Sequence, residues 1–349
     1  MKFIRALKAH ERHLSAVAMV IGFVVDNFAF GRVDHPATQI VLTSYLLIAA
    51  VSIIVLHYFE ERAEQQGQEF RWSAALSATT QFSFGGLWSA FLIFYSRSAV
   101  IATAWPFLLI LFCIFVGNEI FRDYRAKLVF TCILLFFALF SYASFAVPIF
   151  ESSVDTRAFL LSGCLSLVVF SAFLIVLALL ARSRIRRDVG KIIVGAMVIF
   201  ACLNTFYYMN VLPPLPLALA SADVFLSKVE IDRNYKGEPT FQPWYRKLGG
   251  LKNYRVAAGQ PLYAYSAVFA PMHLKAQIVH EWEWYDDAAS QWVTQTVIVF
   301  PITGGRENGY RGYSFKSKLR SGLWRVDVET RDGRTIGRVN FMVQVVKAA

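Results

Sequence analysis

The residues in this chain with the types and spacing for chemistry are few. His280-Glu281-Trp282-Glu283-Trp284 opens like a zinc-protease motif, but the second His that would complete two ligands on one helix face is absent. His10-Glu11-Arg12-His13 is a basic lead-in to an apolar segment. Neither a GxSxG nucleophile elbow nor a phosphate-cradling Gly-rich loop ending in Lys-Ser/Thr occurs. No catalytic residue, metal site or cofactor is therefore assigned.

Three other groups carry binding chemistry. Strand alternation through 279–285 puts His280, Trp282 and Trp284 on one face, with Glu281, Glu283 and Tyr285 on the other. Trp292 and Trp324 follow. Tryptophans stack on sugar rings and paired carboxylates act on glycosidic bonds, but Trp filling a core with solvated Glu opposite is the preferred reading. Lys316, Lys318 and Arg320 recur at spacing two and predict a single-face basic stripe, with Arg306 and Arg311 upstream. Such a stripe either meets anionic lipid headgroups and phosphorylated glycans or protects an exposed sheet edge. Asp26, followed by Asn27, lies within an apolar span, where an ionisable group marks a functional candidate by default. Arg32, Arg97 or Arg157 could complete a polar pocket with Asp26; a buried ion pair holding helices together is the alternative. Glu119, after Asn118, reads as interfacial, while Gln81 and Asn204 lie further in.

The elements that must position these groups follow from composition. The chain has 349 residues, 56% hydrophobic and 17% charged, with mean hydropathy +0.46. Soluble domains run near 45–50% apolar and about 25% charged, so an ordinary soluble enzyme and a disordered chain are both excluded. Seven segments are apolar over roughly the 20 residues a membrane helix needs: 14–31, 38–58, 76–95, 99–117, 128–148, 158–181 and 192–211. The third is the weakest, containing Gln81, Gly85 and Gly86. Gly22, Pro106, Gly163 and Gly195 are tolerated inside such spans where neighbouring helices take up the backbone.

Charge orients the spans. Lys2, Arg5, Lys8, Arg12, Arg62, Arg71, Arg122, Arg125, Lys127, Arg182, Arg184, Arg186, Arg187 and Lys191 fall on one side, against Arg32, Arg97 and Arg157 on the other. The positive-inside rule then predicts a cytoplasmic N-terminus and, after seven crossings, an exterior C-terminal domain. This accounts for much of the +11 net charge without nucleic acid. All four cysteines (Cys113, Cys132, Cys164, Cys202) lie in apolar segments, so the exterior domain has no disulfide framework.

The expected organisation is a membrane domain over 1–212, a Pro-rich stalk over 213–221 and an exterior domain over 222–349. Ala218-Leu219-Ala220 resembles a processing site, though a stiff stalk is the preferred reading. From residue 222 the period becomes two. Val224 to Ile231 alternates loosely, then strands are predicted over 262–270, 275–285, 291–300, 310–317, 323–330 and 336–346, with an Asp332-Gly333 hairpin turn. About seven short strands predict an immunoglobulin-like β-sandwich, with a small barrel as the alternative.

The run Val279-His280-Glu281-Trp282, then Gly309-Tyr310-Arg311-Gly312-Tyr313-Ser314-Phe315-Lys316, then Gly322-Leu323-Trp324-Arg325-Val326-Asp327-Val328, ending Ile336-Gly337-Arg338 and Phe341, resembles a bacterial family. It is known as domain of unknown function twenty-nine fourteen, and the resemblance covers roughly 222–346. The helical part resembles the membrane region that accompanies that domain, family of unknown function fifty-nine twenty-four. The resemblance implies a domain order and a bacterial envelope setting, and it implies no activity. The expected function is a non-enzymatic protein of the bacterial inner membrane, with a periplasmic sandwich binding a glycan, a lipid or a protein partner. Membrane lipids are its expected surroundings and nucleic acid is not an expected partner. A membrane enzyme or flippase for a lipid-linked substrate, working through Asp26, is the first alternative. An accessory subunit of a larger membrane complex is the second.

Overall fold

The computed structural model describes residues 21–28, 30–98, 100–120, 127–227, 251–272, 274–306 and 309–346. Lys2, Arg5, Lys8, Arg12, Arg122, Arg125, the 10–13 motif and the polar stretch with Pro239, Pro243, Gly249 and Gly250 lie outside the described residues, as does the side chain of Glu119.

Seven helices precede the strands among the described residues: α1 (21–28), α2 (Pro36–Gln65), α3 (Ser73–Ser98), α4 (Ile101–Ile120), α5 (Leu128–Glu151), α6 (Thr156–Leu180) and α7 (Arg182–Tyr208). Four of them, α2, α5, α6 and α7, are long and apolar enough to cross a membrane. Ser, Thr, Gln and two glycines dilute α3, and the apolar stretch of α4 is confined to Thr103–Asn118. Local chemistry sets the helix starts. Pro36 occupies the first turn of α2, where its missing N–H costs nothing, and His35 Nδ1 accepts from Ala37 N at 3.3 Å. Asp155 Oδ1 caps α6 by accepting from Ala158 N at 2.8 Å.

The chain forms two compact units: Met1–Phe94 with Pro106–Val147 and Phe159–Met209, and Tyr95–Trp105 with Pro148–Ala158 and Asn210–Ala349. In the helical unit α5 is central, with 72% of its most apolar stretch buried, whereas only 28% of that of α6 is. Yet α6 is apolar all round and exposes Val168, Ile175 and Leu179. A helix that presents such a surface belongs in lipid. The core is aromatic: Trp88 stacks on Phe137 (5.4 Å), Phe140 on Phe200 (5.6 Å) and Phe159 on Tyr207 (3.8 Å). The chain is thus a membrane-type helical region followed by an all-β region.

The β unit is a sandwich of two sheets. A three-stranded sheet has the order β1 (Ala218–Phe225), β3 (Leu262–Phe269), β6 (Tyr310–Lys316). The five-stranded sheet has the order β2 (Lys252–Ala257), β8 (Thr335–Val346), β7 (Gly322–Thr330), β4 (Lys275–Asp286), β5 (Gln291–Thr303). All pairs are antiparallel except β2 with β8. The inward residues form two buried clusters, one around Leu217, Leu219, Val268 and Ile278, the other around Trp282, Trp324, Val326 and Phe341. The β7–β8 turn has Gly333 at φ +73 and closes with Thr330 N donating to Arg334 O at 2.9 Å, as its Asp-Gly pair predicts.

Three sequence expectations need correction. β1 begins at Ala218, inside the expected stalk, because Leu217 and Leu219 are buried in the sandwich core; Ala218-Leu219-Ala220 is a buried strand and not an accessible processing site. Strand β2 was not predicted: Lys-Asn-Tyr-Arg-Val-Ala is polar and pairs on one side only, so it carries little of the apolar signal of a central strand. The expected stripe at 316–320 is not one strand, since β6 ends at Lys316 and the chain continues as a loop.

Candidate functional site

The loop 317–321 carries Lys318 and Arg320, both exposed, and leads on from Lys316. It is held from three directions. Trp324 Nε1 donates to Arg320 O at 2.8 Å, Trp284 Nε1 donates to Ser321 O at 3.2 Å, and Val345 N donates to Ser321 Oγ at 3.0 Å. The loop ends at Gly322, whose φ is +128; a Cβ there would also lie 2.9 Å from Trp284 Nε1. Arg320 sits over the Trp284 ring at 5.4 Å, and Lys316 over the Trp324 ring at 5.9 Å.

Lys316 is the anchored cation. Its Nζ donates to Thr296 Oγ1 at 2.5 Å. Burial pushes its pKa below the usual lysine range, and the neighbouring Arg320 and Lys318 charges push it further. Among the described residues, none of Lys316, Lys318 and Arg320 forms an ion pair with a carboxylate. Lys316 at the end of β6 and Lys318 and Arg320 on the fixed loop therefore repel one another, and a bound anion would relieve that repulsion.

Arg311 does not join them. It lies at the far end of β6, five residues from Lys316 or roughly 17 Å along a strand, and its odd spacing puts it on the opposite face. Trp282 is fully buried and donates from Nε1 to Ser314 Oγ at 2.9 Å, so its ring is core. Trp284 is half-buried with its edge committed to the loop. The tryptophans thus place the cations through their N–H groups; that role was not legible in strand alternation, which shows faces but not where an indole edge points.

His280 sits fully buried between the sheets, with Nε2 2.7 Å from Ser266 Oγ and Nδ1 2.9 Å from Ser314 Oγ. Burial pushes its pKa down to about 4, so it is neutral at physiological pH. A Ser–His–Ser set without solvent access is a structural bolt and has no route to a substrate.

The outer face of the five-stranded sheet holds a charged lattice that sequence reading largely missed. Glu281 and Glu283 pair across the ladder with Asp327 and Arg325, and Asp327 pairs in turn with Arg338. Arg338 forks onto Asp327 (2.6 and 2.5 Å), Arg325 bonds Glu283, and Arg325 lies 4.3 Å above the Trp292 ring. Glu283, expected to be solvated, is buried because Arg325 covers it. Glu329 accepts from Thr335 Oγ1 at 3.0 Å. Its pKa rises to about 7, chiefly through burial; the Thr335 bond opposes this, and the Asp327, Glu281 and Glu283 charges add to it. The available signal was Arg325, Asp327 and Glu329 at spacing two, a charged face matching that of β4.

In the helical unit Asp26 lies on α1, near Ser89 and Tyr45. Among the described residues, Ser89 Oγ makes no hydrogen bond of good geometry. Asn27 is exposed, and Arg32 forks onto Asp34 at 3.0 and 2.8 Å. Asn118 Nδ2 donates to Gln81 O at 3.2 Å, and Asn204 bonds its own helix at Phe200 O.

The segment from β4 into β8 carries most of these groups, and its sequence has known counterparts. Residues 275–343 match the family described as Protein of unknown function (DUF2914). No curated protein matches the chain significantly. Among solved structures, the Pseudomonas fluorescens alkylpurine DNA glycosylase AlkC bound to DNA containing an abasic site analog aligns over 88% of this chain and 98% of its own, at 10% identity. Its TM-score is 0.24, too low to carry any argument about fold or function. The matched residues include Lys316, Lys318, Arg320, Trp282, Trp284 and the charged lattice, so the DUF2914 segment holds nearly the whole candidate site.

Proposed function

We propose that this is an integral protein of the bacterial inner membrane, with a cytoplasmic N-terminus and a periplasmic β-sandwich that binds anionic groups of the envelope. Lipid headgroups and phosphorylated glycans share the chemistry that would be recognised. The observation that carries this reading is the end of β6 and the loop 317–321, where Lys316, Lys318 and Arg320 gather, among the described residues without a carboxylate counter-charge, beside a loop backbone fixed by two indole N–H groups. Holding the loop in place before binding lowers the ordering cost of capturing an anion. The orientation is supported by the one-sided distribution of Lys and Arg around the apolar segments.

The test uses the full chain in nanodiscs of zwitterionic lipid, with capture of free phosphatidylglycerol or phosphatidylcholine vesicles as the readout. Each cation near an anionic surface is worth about 1 kcal/mol. The triple variant Lys316→Ala, Lys318→Ala, Arg320→Ala should therefore lose roughly 100-fold in anionic-vesicle capture. Added salt should weaken wild-type capture in the same direction. Unchanged capture by the triple variant would remove this reading.

A further inference from the structure

Among the described residues, four strands stand at sheet edges: β1 and β6 in one sheet, β2 and β5 in the other. An edge presents a row of unpaired N–H and C=O groups, and proteins guard it with charge, proline, a bulge or a covering segment. Three of the four carry charge: Asp223 on β1, Lys252 and Arg255 on β2, Arg311 and Lys316 on β6. The fourth, β5, is the longest of the described strands, with 13 residues, and not one of them is charged. Its bulge, at Gln295, and its one proline, Pro301, flank the stretch 296–300 and leave it regular. Within that stretch Val297 is 53% exposed and Val299 51%. From the other sheet, β6 reaches β5 through side chains, with Lys316 Nζ on Thr296 Oγ1 at 2.5 Å and the Phe300 ring against Gly312, and no ladder joins the two strands.

The register identifies the occupant. Thr296, Ile298 and Phe300 lie opposite Trp282, His280 and Ile278 of β4 and so face the inside of the sandwich, while Val297 and Val299 face out. Antiparallel pairing of this stretch with a second copy of itself, centred on Ile298, sets Val297 opposite Val299 of the copy and Val299 opposite its Val297. Each exposed valine then meets an apolar β-branched partner, the kind of cross-strand pair that stabilises a sheet, and no like charges meet. Val279 of β4, buried and opposite Val299 within one chain, extends the same apolar strip. A partner recognised by charge would find none on this strand, whereas an identical strand is complementary to it. Copies anchored in one membrane face the same way, so a closed pair needs a two-fold axis, and a strand pairing antiparallel with itself supplies one. Anchoring both copies in one bilayer also raises their effective concentration, as a linker would.

We infer that β5 is a homodimerisation edge, which joins the five-stranded sheets of two copies of this chain into one continuous sheet through antiparallel pairing of residues 296–300. The pairing does not depend on anion binding at the loop 317–321.

Energy transfer between donor- and acceptor-labelled full chains in phosphatidylcholine vesicles, followed as the protein is diluted with lipid, tests the inference. Wild type should show a monomer–dimer equilibrium. Val297→Lys with Val299→Lys sets Lys against Lys twice across the pair and should weaken the dimer by about tenfold or more. Val297→Lys with Val299→Glu sets each Lys against a Glu of the second copy and should restore most of the association. Both valines are half exposed, so the fold tolerates these changes, and unchanged tryptophan fluorescence checks that it does. The loop variant Lys316→Ala, Lys318→Ala, Arg320→Ala should still dimerise. A wild type that stays monomeric at every dilution would overturn the inference. So would a dimer that survives the Lys–Lys change, which would place the contact elsewhere on the chain. A Lys–Glu variant as monomeric as the Lys–Lys variant would overturn the register, and with it the pairing of β5 with itself.

Discussion

His280 of β4 and Ser266 of β3 meet between the two sheets, Nε2 to Oγ at 2.7 Å, and both side chains are fully buried. With Ser314 on the other ring nitrogen, the imidazole ties the five-stranded sheet to both β3 and β6. Protonating it would bury a charge and turn its one acceptor nitrogen into a donor, so the serine hydroxyl that donates to the neutral ring would lose that acceptor. Its pKa of about 4 lies below the unfolded value of 6.5, so its contribution is complete above pH 6.5 and is lost as pH falls through 4. The loss amounts to about 3 kcal/mol. Denaturant unfolding followed by tryptophan fluorescence between pH 4 and 8 should show it, and His280→Gln should remove the dependence. An unaltered pH profile in His280→Gln would rule this out.

Glu329 works in the opposite direction. Its pKa of about 7 is above the ordinary 4.5, so the folded state favours the neutral acid. The stabilisation is full below pH 4.5 and is lost as pH rises through 7. Because the carboxyl is partly exposed, solvent screening reduces the effect to about 1 kcal/mol. Glu329→Gln should match wild type near pH 4.5 and exceed it in unfolding free energy at pH 8. Between pH 4.5 and 6.5 the two groups offset each other, so the His280 step is best measured in the Glu329→Gln background.

What the sequence made legible here was periodic. Six strands fall within three residues of their predicted ends, and the Asp332-Gly333 turn forms, because alternation and turn chemistry are local properties. Helices α2, α5, α6 and α7, long and apolar enough to cross a membrane, follow from apolar length in the same way. What stayed hidden depends on the third dimension. Glu61 reads as one more acid at a helix end, and only the fold brings it to the first turn of α7. Trp284 and Trp324 read as ring surfaces, whereas their N–H edges fix the cationic loop. Glu283 alternates to the outer face as predicted, yet Arg325 reaches over and buries it.

Asp327 is only 2% exposed and receives both arms of Arg338. Removing the acid alone would strand a half-buried guanidinium among its neighbours. Asp327→Ala should therefore cost about 3–5 kcal/mol, whereas Asp327→Ala with Arg338→Met should cost clearly less than the single change. Chemical denaturation of the wild type and the two variants separates these cases; equal losses in the single and double variants would show that the pair itself, and not the stranded charge, carries the energy.

Glu61 satisfies two backbone N–H groups that α7 cannot satisfy internally. Glu61→Ala should lower the stability of the detergent-solubilised chain by about 1–2 kcal/mol. Glu61→Gln keeps one acceptor oxygen and should lose less. The thermal midpoints of the two variants check the order, and a Gln variant as unstable as the Ala variant would mean that the charge, rather than the cap geometry, is what α7 requires.

Gly86 on α3 faces the ring of Tyr45 on α2 so closely that a Cβ would lie 2.5 Å from Cε2 and 2.9 Å from Cζ. The ring also meets Phe82 edge-on at 5.9 Å, so a shift of the ring away from a new Cβ would disturb that contact. Close approach through a small residue is how membrane helices gain packing when apolar burial does not distinguish helix from lipid. Gly86→Ala should therefore cost about 1–3 kcal/mol by overpacking, despite the better intrinsic helix propensity of Ala. Gly22→Ala, with no atom of the described residues within 4 Å of the new Cβ, serves as the control and should be neutral. If the clash with Tyr45 is the cause, Tyr45→Ala should recover part of the loss in the double variant, a coupling that independent sites would not show. Additive losses at Gly86 and Tyr45 would mean that the two helices do not meet through this pair.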